Sequence, residues 1–232
     1  MQIEIIIPSK DRITKLDNCL NSIFRSFIST YKIKIRLYLS SQEEINYYSG
    51  FFEHCTVVET HLLPEYRVPN FWNNCFKNSN SDILFYLNDD IEVFEDTIHK
   101  AVKALIINYP DLDGIVGINQ ININSKDKVP AAFGAIGKKY LERFPEKQLF
   151  CPDYSRFYGD YEIWQYAKEI NKFIFCSESR VNHYHPCIDS KYMDSTHSNV
   201  RKWLPLDRET FRQRKERNLL WGRNFDLINI KD

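Results

Sequence analysis

The sequence predicts an α/β domain, with one mostly parallel sheet flanked by helices and a helical extension at its C-terminal end. Three observations carry this: short runs of solid apolar residues, amphipathic segments between them, and polar clusters where the runs stop. With 232 residues, 43% apolar and 27% charged, the chain has material for one sizeable core. A boundary near residue 190 separates a core domain, 1–190, from an extension, 191–232.

The run IEIIIP, Ile3 to Pro8, reads as a strand halted by proline. DRITKLDNCLNSIFRSF follows, with Ile13, Leu16, Leu20, Ile23 and Phe27 on a helical stripe. IKIRLYL (33–39) is the second strand, QEEINYYSGFF (42–52) a short helix and CTVVET (55–60) the third strand. NFWNNCFKNSN (70–80) reads as a helix and DILFYL (82–87) as the fourth strand. EDTIHKAVKALIINY (95–109) is a long amphipathic helix with acids at its start to cap it. Beyond it, AAFGAIGKKYLERF, FYGDYEIWQYAKEINKFIF and SRVNHYHP follow a less regular stretch.

Composition excludes several classes. Thirty-one basic and 31 acidic residues cancel, so no whole-molecule field draws nucleic acid or an anionic membrane. The six cysteines are scattered without a CxxC pair, which predicts a reduced, cytoplasmic chain with structural thiols. No apolar run approaches the ~20 residues of a bilayer span.

In an open α/β sheet, ligands bind beyond the carboxyl ends of the strands. Two clusters lie there: PSKDR, Pro8 to Arg12, and NDD, Asn88 to Asp90. GxGxxG and GxxxxGK[ST] are both missing, so the usual glycine cradle for phosphates is not encoded. A divalent cation, Mg2+ or Mn2+, held by Asp90 with Asp89 or Asn88 helping, would neutralise a bound phosphate instead. A turn joined to a helix cap is the alternative use of NDD. Asp160 and Glu162 open a helix behind Gly159, where they can cap it or do chemistry. His183 and His185 alternate, so a strand there would put both imidazoles on one side, for structure or for metal.

Taken in order, IIIPSKDR, ILFYLNDDIEVF, FGAIGKKYLERF, GDYEIWQYAKE and VNHYHP resemble the glycosyltransferase A-type fold, a Rossmann-like architecture. The resemblance is to the family 2-like transferases that use nucleotide-diphospho-sugars, and it covers residues 2 to 187. It implies a nucleotide pocket lined by Pro8, Ser9, Asp11 and Arg12, with Arg67 and Asn74 in a stretch that contacts the donor. It also implies that Asn88, Asp89 and Asp90 form the DxD-type element with Asp90 on the metal, that Asp160 is the catalytic base, and that His183 is a further metal or diphosphate ligand. The expected donor is a UDP-sugar. Three places depart from the pattern. Ser40 and Ser41 stand where an acid usually reads the nucleobase, with Glu43 or Asp11 as substitutes; Asn88 replaces the first acid, and Gly159 replaces the acid before the base.

The acceptor, a glycan or lipid-linked saccharide, is expected at residues 119–135 and 186–206. Tyr154, Phe157, Tyr158, Tyr161 and Trp164 surround the expected base, for stacking or for plain packing. Asp207 to Arg223 reads as a basic helix opened by an N-cap acid and packing back through Phe211, Leu219, Leu220 and Trp221. Its second reading is contact with an anionic acceptor, including a hydroxylated base in phage-type DNA. A nucleotidyltransferase and a non-catalytic sugar-nucleotide-binding domain are the alternative functions.

Overall fold

The computed structural model describes residues 1–26, 31–52, 57–63, 67–124 and 129–223. Phe27, the first two residues of the expected third strand, and residues 125–128 and 224–232 of the expected acceptor and tail regions lie outside that set.

Eight strands form one sheet: β1 (Gln2–Pro8), β2 (Lys32–Leu39), β3 (Val58–Leu62), β4 (Ile83–Tyr86), β5 (Ile91–Val93), β6 (Ile115–Gln120), β7 (Gly134–Gly137) and β8 (Phe173–His183). The main helices are α1 (Ile13–Arg25), α2 (Gln42–Phe51), α3 (Val68–Lys77), α4 (Thr97–Asn108), α5 (Lys138–Leu141), α6 (Gly159–Glu169), α7 (Ser195–Val200) and α8 (Leu204–Glu216). The strand order is β3-β2-β1-β4-β7-β6-β8-β5. β1, β2, β3 and β4 pair in parallel, as the alternating pattern requires. Past β4 the sheet is mixed, because β7 runs antiparallel to both β4 and β6, and β5 antiparallel to β8. Periodicity identifies a strand but not its direction, so this reversal was not legible in the sequence.

The pleat divides β1 between two cores. Ile3, Ile5 and Ile7 face α1 and α4, among Leu16, Cys19, Leu20, Val102 and Leu105. Ile6 faces the other way, toward Trp72 and Phe76 of α3 and Tyr166 of α6; Leu220 and Trp221 pack on this side from beyond α8. Asp96 stands at the N-cap of α4 with φ 64° and no side-chain cap bond, so the expected acidic cap does not form.

Glu4 shares the face of Ile6 and is buried. It accepts from Ser79 Oγ at 2.6 Å and Ser81 Oγ at 2.9 Å, and it is ion-paired with Arg36 of β2. Removing one partner of a buried pair strands the other charge, so Glu4→Ala should cost about 3–5 kcal/mol in urea unfolding. A loss of less than about 1 kcal/mol would show the pair to be an ordinary surface contact.

Candidate active site

The site is built at the carboxyl edge of the sheet, from the loop that leaves β4. Asp89 and Asp90 are both buried there. Ser9, just past β1, donates its hydroxyl to Asp89 Oδ2 at 2.7 Å, and Arg12 Nη1 donates to Asp89 Oδ1 at 2.9 Å. Arg12 Nη1 also lies 3.6 Å from Asp90 Oδ2. The two polar clusters of the sequence therefore meet because β1 and β4 are neighbours in the sheet.

The antiparallel pairing of β5 with β8 sets Ile91 opposite His183, which brings that imidazole to Asp90. The backbone N–H of Tyr184 donates to the Asp90 carbonyl at 2.7 Å and locks the loop to the strand end. His183 Nε2 lies 3.3 Å from Asp90 Oδ1. On the other side of the carboxylate, His197 Nε2 lies 3.3 Å from Asp90 Oδ2. His197 comes from α7, whose N-cap Asp194 accepts the His197 backbone N–H at 2.9 Å and sits 2.8 Å from His197 Nδ1. Asp194 in turn is paired with Arg12 at 3.0 Å and Lys15 at 2.6 Å.

The tautomer of His183 follows from its second contact. Its Nδ1 lies 3.0 Å from Gln120 Oε1, an acceptor, so in the neutral ring Nδ1 carries the hydrogen and Nε2 presents a lone pair. Asp90 Oδ1 and His183 Nε2 are both buried and make no hydrogen bond. Two acceptors facing each other in a dry site require a cation between them, a proton or a metal. Among the described residues no group of three or more His, Cys, Asp or Glu could hold a metal ion by itself. Two ligands with open positions are what a cation shared with a phosphate ligand needs.

The neighbouring carboxylates titrate in opposite directions. Burial and the charge of Asp90 push Asp89 up, beyond what Arg12 and Ser9 offset. Burial also penalises Asp90, but with a proton in the cation's place between it and His183, that contact, His197 and Arg12 outweigh burial and hold the carboxyl well below the usual range. Asp90 is thus the carboxylate that stays ionised for a cation.

Asp160 stands half-buried in the first turn of α6 and accepts the N–H of Tyr161 at 2.9 Å. Burial lifts its carboxyl to about 6, and its charge is felt by Tyr86 at the end of β4. Glu162, which the sequence also placed at the helix start, has a different use. It is buried, accepts from Tyr154 Oη at 2.7 Å and is paired with Arg214 of α8 at 2.8 Å.

The solved structures that this architecture matches include glycosyltransferases. The mannosyltransferase PcManGT from Pyrobaculum calidifontis, solved with GDP-Man and Mn2+, superposes with a TM-score of 0.62 at 15% identity, over 78% of this chain and 56% of that one. The fold is glycosyltransferase A-type. S. aureus TarS 1-349 with UDP-GlcNAc matches this A-type fold at a TM-score of 0.58 and 12% identity, over 78% and 57% of the two chains. GalNAc-T7 with UDP, GalNAc and Mn2+ gives 0.58 and 14%, over 78% and 43%. The chain spans a little over half the length of the first of these structures. No protein-family model and no curated protein matches the sequence.

Within the A-type frame the remaining sequence-predicted residues separate into two groups. Pro8 ends β1, and Asn88 leads into the buried pair, its carbonyl accepting from Cys19 Sγ at 3.5 Å. Asp11, in a left-handed conformation with φ 55°, accepts from Ser40 Oγ at 3.0 Å. Glu44 accepts from the same hydroxyl at 2.7 Å and from the Ser40 N–H at 2.8 Å. Asp11, Arg12, Lys15, Glu43, Glu44 and Asp194 border a cleft of about 550 Å³. Acids thus surround Ser40 even though the position itself is a serine.

Arg67 and Asn74 are both placed by α3. Arg67 is exposed at the N-cap of α3, and Asn74 is exposed two turns further along, where Asn78 Nδ2 donates to its carbonyl at 2.9 Å. α3 carries the chain back from the carboxyl edge of β3 toward the amino edge of β4, with Arg67 at its start and Asn74 further along it. Its neighbour Asn73 is buried and bridges to the Phe150 backbone at 2.7 and 2.8 Å.

The expected basic helix is also different in detail. α8 begins at Leu204, and Asp207 lies in its first turn rather than at its cap. Arg212 pairs with Glu209 and Glu216, Arg214 with Glu162 and Asp153, and Arg223 with Glu169. Phe211 stacks on Tyr158 with ring centroids 4.7 Å apart, as the packing reading expects, whereas Leu219 is exposed. Among the described residues no helix is long and apolar enough to cross a membrane.

Sequence reasoning missed Asp194, His197, Lys15 and Glu44. DSTH, residues 194–197, has the spacing of a helix N-cap, which was readable. Its contact with Arg12, 182 residues earlier, was not.

Proposed function

We propose that the chain is a metal-dependent glycosyltransferase that moves a sugar from a nucleotide-diphospho-sugar to an acceptor hydroxyl, with inversion. The observation that carries the reading is the buried, facing pair of acceptors Asp90 Oδ1 and His183 Nε2 at the carboxyl edge of an A-type sheet. They fit a hard divalent ion, Mn2+ or Mg2+, whose remaining positions a diphosphate would fill. When bound, the metal supplies electrostatic stabilisation of charge on the leaving diphosphate. Gln120 and Asn122 hold the His183 ring and backbone, at 3.0 Å and 2.9 Å, so the imidazole is oriented before ligand arrives. Complexes with GDP-Man, UDP-GlcNAc and Mn2+ among the structural neighbours support this donor chemistry.

Asp160 is the base in this reading. An acceptor hydroxyl must lose its proton as it attacks, and a half-buried carboxylate raised to about 6 is ionised at neutral pH yet a better proton acceptor than an exposed one. kcat should therefore rise with pH through about 6 and level off above it. A profile flat from pH 5 to 8 would remove Asp160 from that role. Three of the basic residues at the C-terminal end are occupied by ion pairs within the chain, which favours a glycan or lipid-linked acceptor over nucleic acid.

The test is calorimetry of UDP-, GDP- and dTDP-sugars with and without Mn2+, followed by product analysis. Metal-dependent binding and release of a nucleoside diphosphate are expected. Release of pyrophosphate would mean nucleotidyl transfer, and binding without turnover on any acceptor would mean a sugar-nucleotide-binding domain.

A further inference from the structure

α6 and the C-terminal segment leave a groove of about 470 Å³ between them. Trp164, Lys168 and Glu169 wall it from α6, and Phe211, Lys215 and Leu219 wall it from α8 and the residues that follow. Phe211 fixes where one end of the groove lies. Its ring stacks on Tyr158 with centroids 4.7 Å apart and meets Tyr161 edge-on at 5.3 Å, and those two residues flank Asp160 in the chain. Trp164 follows Asp160 by four residues, one turn along the same side of α6. The groove therefore starts beside the proposed base.

Its charges do not balance. The acids are committed, Glu162 to Arg214 and Tyr154, and Glu169 to Arg223. Lys168 lies over the Trp164 ring, 5.6 Å from its centroid. Among the described residues neither Lys168 nor Lys215 has a carboxylate partner, and both are exposed, one on each wall. Leu219 adds exposed apolar surface to the same groove, beside the partly buried Trp164 and Phe211. Rings that offer apolar faces, set beside uncommitted ammonium groups, complement a sugar whose ring is apolar on one face and whose substituents are acidic.

We infer that this groove holds the acceptor, an oligosaccharide that carries carboxylate, sulfate or phosphate groups, with its reacting end toward Asp160 and its acidic units on Lys168 and Lys215. This names an acceptor class for the transfer proposed above and rests on that reading. The C-terminal segment then forms one wall of the acceptor site, and its two uncommitted lysine and leucine side chains have a use that packing does not give them.

The experiment is calorimetry of the full chain, without donor, against trigalacturonate, sulfated maltotriose and phosphorylated maltotriose, beside unmodified maltotriose, inorganic phosphate and oligothymidylate. At least one acidic sugar should bind about 10-fold or more tightly than unmodified maltotriose. Lys168→Ala and Lys215→Ala should each weaken it by about 3- to 10-fold, and the double variant should erase the preference for acid. Trp164→Ala should weaken acidic and neutral sugars alike; if that variant does not fold, the two lysines, which are exposed, decide by themselves. No preference for any acidic sugar, or a preference that survives the double lysine variant, overturns the inference. So does inorganic phosphate or oligothymidylate binding as tightly as the best sugar, since charge alone would then suffice. Sugar binding that appears only in a chain ended at Arg223 would assign the groove to residues 224–232, and a dimer made monomeric by Leu219→Glu would assign it to a second copy. Failure of the wild type to bind a nucleotide-sugar with Mn2+, with acidic sugar still bound through the lysines, overturns the transfer reading and leaves a glycan-binding groove.

Discussion

Asp160→Asn is expected to lower turnover by about 10²- to 10⁴-fold while leaving metal-dependent donor binding within a fewfold of wild type. The asparagine keeps the shape and the oxygen that accepts the Tyr161 N–H, and loses only the capacity to take a proton. The same variant carries a stability signature. The folded carboxyl sits at about 6, above its value of roughly 4 in an unfolded chain, so the folded state holds the proton more firmly. Ionisation between those values destabilises the fold, and that loss is complete above the folded value. Asp160→Asn removes it, so the variant should melt higher than wild type at pH 7 to 8 and no higher at pH 4. Turnover close to wild type, or a matching loss of donor affinity, would assign Asp160 to capping rather than to chemistry.

The second large effect is at Asp90. Asp90→Asn should abolish the Mn2+-dependent part of donor binding, because the amide cannot supply an anionic oxygen opposite His183 Nε2. Asparagine is the better test than alanine, since Arg12 and His197 also face this side chain and alanine would open a cavity between them. Calorimetric titration of Mn2+ with UDP or GDP reads the effect, and thermal unfolding in parallel checks that the fold is kept. A variant that retains metal-dependent affinity would place the cation elsewhere. His183→Ala should reproduce the loss in weaker form, since the Asp90 carboxylate remains.

Much of this protein was legible from its residues alone. Apolar runs such as Ile5 to Ile7 and Ile83 to Leu87 identified buried strands, and alternation with amphipathic segments gave the α/β class, because period and polarity are local properties. Polar clusters at strand ends identified Ser9, Arg12, Asp89 and Asp90 as site candidates, because in a parallel sheet those ends share one edge. The direction of β7, the commitment of Arg214 and Arg223 to Glu162 and Glu169, and the exposure of Asn74 were settled only by tertiary packing. So was the meeting of Arg12 with Asp194 and of Asp90 with His197. Such contacts join residues a hundred or more positions apart, and no local pattern encodes which of many suitable partners a buried charge will meet. Residue chemistry determined what the strand ends could bind; the folded sheet and the returning C-terminal segment decided which groups converge there, since only burial makes a charge depend on one neighbour rather than on water.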